Sequence, residues 1–87
     1  MLLIKRYLNR KLYDSEAHCY ITVHDLAKLV RQGVDFKVLD HASGFDYTAQ
    51  TLALILVMEA KMSSRSVDVS VFEKVIREGI PETVAAA

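Results

Sequence analysis

Apolar positions fall into short β-type runs in the first half of the chain and longer helical stripes in the second. Ile4 to Tyr13 mixes β-forming residues with bases, and Cys19-Tyr20-Ile21-Thr22 is a second β-prone stretch. The polar segment Asp14 to His18 between them reads as a turn, so a hairpin is expected, with Leu12 and Ile21 as core anchors. Alternation is poor around Leu8 and Asn9, which leaves the register open.

A first helix is marked at both ends. Thr22 is placed to cap it, Asp25 sits at N3, and Ile21 with Leu26 has the spacing of a hydrophobic staple. Leu26, Leu29 and Val30 form the apolar stripe, and Gly33 suits a left-handed C′ position with Val34 folding back on Leu29. Phe36 to Asp40 reads as a strand, with Phe45-Asp46-Tyr47 returning antiparallel through a Gly44-containing turn. A second helix is expected from Ala49 to Met62, capped by Thr48. A third is expected over residues 71–78, with Ser70 and Glu73 as a capping box and Gly79 and Pro81 as the stop. The result is a small α+β domain of two β-hairpins and about three helices, in the order β-β-α-β-β-α-α. Residues 63–80 are expected to be a linker and C-terminal helix, and residues 81–87 a frayed tail.

Size sharpens the picture. The 87 residues suit one domain with a thin core, yet 52% of them are apolar, which points to burial against a second subunit. The middle of the second helix, Leu52 to Met58, is apolar on every face. One side can pack on the sheet; Leu52, Leu54, Ile55, Leu56, Val57 and Met58 are therefore candidates for an oligomer interface or a dock for an apolar ligand. This run of seven residues is far short of the roughly 20 that span a bilayer. With no signal-peptide pattern in Met1 to Arg6 and a single cysteine, Cys19, the expectation is a cytoplasmic protein with no membrane association.

The zero net charge is unevenly spread. Residues 1–13 carry +4, residues 14–47 carry −3 and residues 48–87 carry −1. The cluster Lys5, Arg6, Tyr7, Asn9, Arg10, Lys11 and Tyr13 combines cations for phosphates, Arg and Asn for base edges, and phenols for phosphate or stacking. Composition alone leaves two readings open, a nucleic-acid surface or an edge strand kept soluble by its lysines.

Catalytic and metal chemistry find little support. His18, Cys19, His24 and His41 lack the paired spacing of a zinc site. Cys19, His24 and Asp25 make a catalytic set only on paper, because Asp25 belongs to a helix start. Asp35, Asp40 and Asp46 read as loop carboxylates, and the three glycines are isolated, so no phosphate loop exists. Neither an enzyme nor a cofactor is expected.

The residues Lys5-Arg6-Tyr7, Asn9-Arg10-Lys11-Leu12-Tyr13-Asp14 and Tyr20-Ile21-Thr22 form an ordered series. It continues through Asp25-Leu26, Leu29-Val30, Gly33, Asp35-Phe36-Lys37-Val38, Asp40, Gly44, Asp46 and Thr48. It resembles the N-terminal DNA-binding domain of polyhydroxyalkanoate (polyhydroxybutyrate) accumulation regulators, over about residues 4–58. The resemblance implies a DNA-binding domain over residues 1–62. It further implies a transcriptional regulator, usually a repressor, whose partners are double-stranded promoter DNA and the polymer itself, with polymer binding withdrawing it from DNA. A homo-oligomer, dimer or tetramer, would match an inverted repeat. The seven residues of the basic cluster become the DNA surface by implication. Leu8 stands where the family has proline, and Phe45 where an acidic residue is expected. The alternatives are a protein-interaction or oligomerisation module, or a granule-surface binder that does not bind DNA.

Overall fold

The computed structural model of the protein describes residues 1–63 and 66–81. Four strands and three helices follow one another as β1 (Leu2–Arg6), β2 (Leu12–Asp14), β3 (Cys19–Ile21), α1 (Val23–Arg31), β4 (Phe36–Asp40), α2 (Thr48–Met62) and α3 (Ser70–Glu78). The strands form one mixed sheet in the order β3-β2-β1-β4. β1 pairs antiparallel with β2 and parallel with β4, the crossover to β4 running through α1. The fold is α+β.

Two details depart from the expected order. The stretch Ile4 to Tyr13 divides into two strands, because Leu8, Asn9 and Arg10 form a three-residue hairpin loop. The Tyr7 amide donates to the Lys11 carbonyl (3.0 Å) and the Arg10 amide to the Tyr7 carbonyl (2.9 Å). The second hairpin is reduced to one bridge, Leu39 to Asp46. The chain is diverted there into α2: the Asp46 carboxylate accepts from the Thr48 amide (2.9 Å), and the Thr48 hydroxyl accepts from the Val38 amide (2.8 Å). Thr48 thus ties α2 to β4 and blunts the outer edge of the sheet, instead of capping the helix.

α1 forms as its sequence demands. Thr22 and Asp25 make a reciprocal capping box. At the other end the Gly33 amide donates to the Val30 carbonyl and the Val34 amide to the Leu29 carbonyl, both at 3.0 Å. With Gly33 at φ 75° this is a Schellman motif. Ala27 rather than Val30 joins Leu26 in the core; Val30 is exposed. α3 begins differently from expectation: Asp68 accepts from both the amide and the hydroxyl of Ser70 (3.0 and 2.7 Å), so the Ser70–Glu73 box does not form. Glu73 instead pairs with Arg77 across one turn.

Ile4, Leu12, Phe36 and Val38 from the sheet, Leu26 and Ala27 from α1 and Ile55 from α2 make the core. Both helices therefore cover one face of the sheet, and the ion pair between Arg31 and Glu59 ties them together. α3 buries none of its residues. The expected tail over residues 81–87 lies outside the described residues except for Pro81.

Candidate nucleic-acid interface

Side chains alternate across a strand, and residues paired between strands share a face. The core residues Ile4, Leu12 and Val38 define the helix-covered face. By the observed register Leu2, Arg6, Asp14, Cys19, Ile21, Phe36 and Asp40 point to that same side. The opposite, helix-free side receives Leu3 and Lys5 from β1, Tyr13 from β2, Tyr20 from β3, and Lys37 and Leu39 from β4. Both acids contributed by the paired strands, Asp14 and Asp40, thus lie opposite Lys5 and Lys37. The paired strands place no acid on the helix-free side.

Aromatic rings share that face, Tyr13 standing opposite Lys5 in the neighbouring strand. Tyr13 meets Tyr20 edge-on at 5.4 Å between ring centres, and Tyr7 meets each of them at 6.4 Å. His41, one residue beyond β4, lies 4.5 Å from Tyr7. Its amide donates to the Arg6 carbonyl (2.9 Å), which continues the parallel pairing and holds the ring on this side. The Lys11 ammonium lies 5.4 Å from the centre of the Tyr20 ring. Lys5, Tyr7, Lys11, Tyr13, Tyr20, Lys37 and His41 therefore share one side of the sheet with Leu3 and Leu39. Such a surface can neutralise phosphates through the lysines and bond or stack through the phenols.

The seven cluster residues do not all reach this surface. Lys5, Tyr7, Lys11 and Tyr13 do. Arg6 points to the helix side, where its guanidinium carbon lies 4.4 Å from the centre of the Tyr47 ring. Asn9 is engaged in its own loop, its side-chain oxygen accepting from the Lys11 amide (3.1 Å). Arg10 occupies the tip of the β1–β2 hairpin at φ 65°. Tyr20, Lys37 and His41 are the members that sequence reasoning missed. Tyr20 was visible as part of the motif, but nothing local signals that β4 lies beside β1.

The α2 candidates separate as well. Ile55 is 7% exposed and belongs to the core, and Met58 is half-buried against it. Leu52, Leu54, Leu56 and Val57 are exposed. Leu56 and Val57, with Ala53 and Ala60, line one wall of an open apolar groove of about 710 Å³; Val71, Phe72, Val75 and Ile76 of α3 line the other.

The remaining polar residues hold the backbone. Asp25 is kept below the usual carboxylate range by hydrogen bonds from the Thr22 amide and hydroxyl. Asp40 is lowered by the Ser43 amide first and the Ser43 side chain next, with smaller contributions from the Ala42 amide and the charge of Arg6. Asp46 and Asp68 are lowered by hydrogen bonds at Thr48 and Ser70. These carboxylates are turn and cap formers. Among the described residues no three of His, Cys, Asp and Glu gather as a metal site, and no helix is long and apolar enough to cross a membrane.

Comparison with known proteins bears on this surface. The chain is 46% identical over 57 residues to an uncharacterised protein of Allochromatium vinosum, covering 66% of the chain and 37% of that relative. It is 37% identical over 75 residues to a protein of Thiocystis violacea described as uncharacterised and in the phbA 5′ region, covering 86% of the chain and 54% of that relative. The chain thus spans between about a third and a half of the length of these relatives. No solved structure matches it. The family model of the PHB/PHA accumulation regulator DNA-binding domain matches residues 3–63, which hold α1, α2 and all four strands except Leu2 of β1. The chain belongs to the family of PHB/PHA accumulation regulator DNA-binding domains.

Proposed function

We infer that the chain is the DNA-binding part of a cytoplasmic transcriptional regulator of polyhydroxyalkanoate storage. In this reading it is a repressor that occupies promoter DNA until the polymer draws it away. Residues 1–62 form the binding unit, followed by the linker and α3. The family supports the DNA role, and the Thiocystis relative carries the phbA 5′ region in its description. The observation that carries the reading is the charge of the helix-free face, where the paired strands put Lys5 and Lys37 and no acid, Asp14 and Asp40 lying with Arg6 on the other. A face so charged attracts a polyanion although the chain's net charge is zero.

A mobility shift with a duplex from upstream of the chain's own gene tests this. Lys5, Lys11 and Lys37 engaging one phosphate each would give a slope of about −3 per protomer in log K against log[salt]. Affinity should then fall roughly fortyfold between 50 and 200 mM salt. A shift that is absent, or indifferent to salt, defeats the reading.

Assembly into a homo-oligomer belongs to the same proposal, through the exposed Leu52, Leu54, Leu56 and Val57 and the groove that Leu56 and Val57 border with α3. That groove also supports a second reading, in which the chain coats polyester granules without binding DNA. Co-sedimentation with polyester particles, in a chain that shifts no duplex, would favour it.

A further inference from the structure

We propose that the sheet lies face-on along the major groove of duplex DNA, with Arg10 at the hairpin tip reading base edges and the outer strands gripping the two backbones. This rests on the DNA-binding reading above and assigns its geometry. Three observations carry it.

The first is width. Strands in a sheet are about 4.8 Å apart, so β3 and β4, at opposite ends of the sheet, are separated by roughly 14 Å. The major groove is about 12 Å wide and admits a two-stranded ribbon. The central pair β2–β1 fits that groove. Tyr20 with Lys11 on one side, and Lys37 on the other, then meet opposite phosphate walls.

The second is the backbone of Arg10. Its φ of 65° is the left-handed conformation that glycine adopts at no steric cost and other residues adopt rarely. A hairpin loop of three residues commonly places glycine there. An arginine held at that position sits against local preference, and such positions concentrate where a side chain is used.

The third is freedom of the side chain. Arg10 is exposed and makes no ion pair with any described residue. Arg6, by contrast, is engaged over Tyr47. Among the described arginines, Arg10 is therefore the one available for the bidentate contact that guanine offers in the major groove.

The test uses the full chain and a pool of randomised duplexes, from which the wild type enriches its preferred sequence. Preference is then measured as the affinity ratio between the enriched duplex and a scrambled duplex of equal composition. Arg10→Gly should lower that ratio by about tenfold or more. Its thermal stability should equal or exceed that of the wild type, since glycine accepts the loop conformation. Arg10→Lys keeps the charge without the planar fork and should also lose preference. Lys37→Ala should leave the ratio unchanged and reduce the salt slope by about 1. Arg10→Gly with undiminished preference, or Lys37→Ala with an unchanged slope, overturns this docking mode while leaving DNA binding intact. A wild type that binds no duplex removes the DNA-binding reading, and the docking mode with it.

Discussion

Lys5 and Arg6 are adjacent in the chain and point to opposite faces of the sheet. Lys5 pairs with Tyr13 and Leu39 on the helix-free side, and Arg6 with Leu12 and Asp40 on the other, its guanidinium 4.4 Å from the Tyr47 ring centre. The two cations therefore have different consequences when removed. Arg6→Ala should cost about 0.5–1 kcal/mol of stability through the lost cation–π contact, seen as a lower thermal midpoint. Lys5→Ala should leave the midpoint near wild type and weaken duplex binding more than Arg6→Ala does. Equal losses of affinity in the two variants would show that the face assignment is wrong.

Ile55 and Leu56 make a second adjacent pair with opposed roles. Ile55 is buried in the core, so Ile55→Ala should destabilise the fold by about 2–4 kcal/mol in urea titration. Leu56 is 55% exposed at the α2–α3 groove. Leu56→Glu should leave the chain folded by circular dichroism and shift its mass by light scattering to that of a monomer. An oligomer that survives the glutamate would place the subunit interface elsewhere.

Leu8 is 92% exposed in the β1–β2 loop, and its amide makes no hydrogen bond to any described residue. Tyr7 before it accepts from the Arg10 amide, so Leu8 is the second residue of a four-residue turn, a position that favours proline. Leu8→Pro therefore removes no native bond and narrows the unfolded ensemble. A gain of about 0.4–1 kcal/mol in stability is expected. Destabilisation would mean that φ at this position departs from the value proline imposes.

Acid should weaken the fold. Asp25, Asp40, Asp46 and Asp68 all have folded pKa values lowered by hydrogen bonds from neighbouring backbone and hydroxyl groups. Their contribution is complete above the ordinary carboxylate range near about 4. Below it the unfolded chain takes up protons first, and stability is lost as pH falls through the lower folded values. The urea midpoint should hold steady from pH 7 to about 5 and then decline. Asp40→Asn should flatten part of that decline; a midpoint that rises on acidification would contradict the assignment.

What could be read from the chain alone was what neighbouring residues decide among themselves. The Thr22–Asp25 box and the Gly33–Val34 Schellman turn close within a few residues, so their hydrogen bonds are written into local order. The same locality misled at Thr48 and Ser70, where a strand amide and Asp68 competed for hydroxyls that could have capped helices. The family motif was legible because it is an ordered series of residue types, and it pointed to the domain without its geometry.

Tertiary structure decided which of those residues meet. The basic cluster is one group in sequence, but the pleat sends Lys5 and Arg6 apart, and the parallel pairing of β1 with β4 brings Lys37 and His41 to the tyrosines. Likewise a helix apolar all round did not reveal which side the sheet would take, until β4 and α1 selected Thr51 and Ile55. The physical reason is the same in both cases. Local hydrogen bonds are set by residues within a turn of each other, whereas the side of a strand or helix that faces water is set by partners distant in sequence.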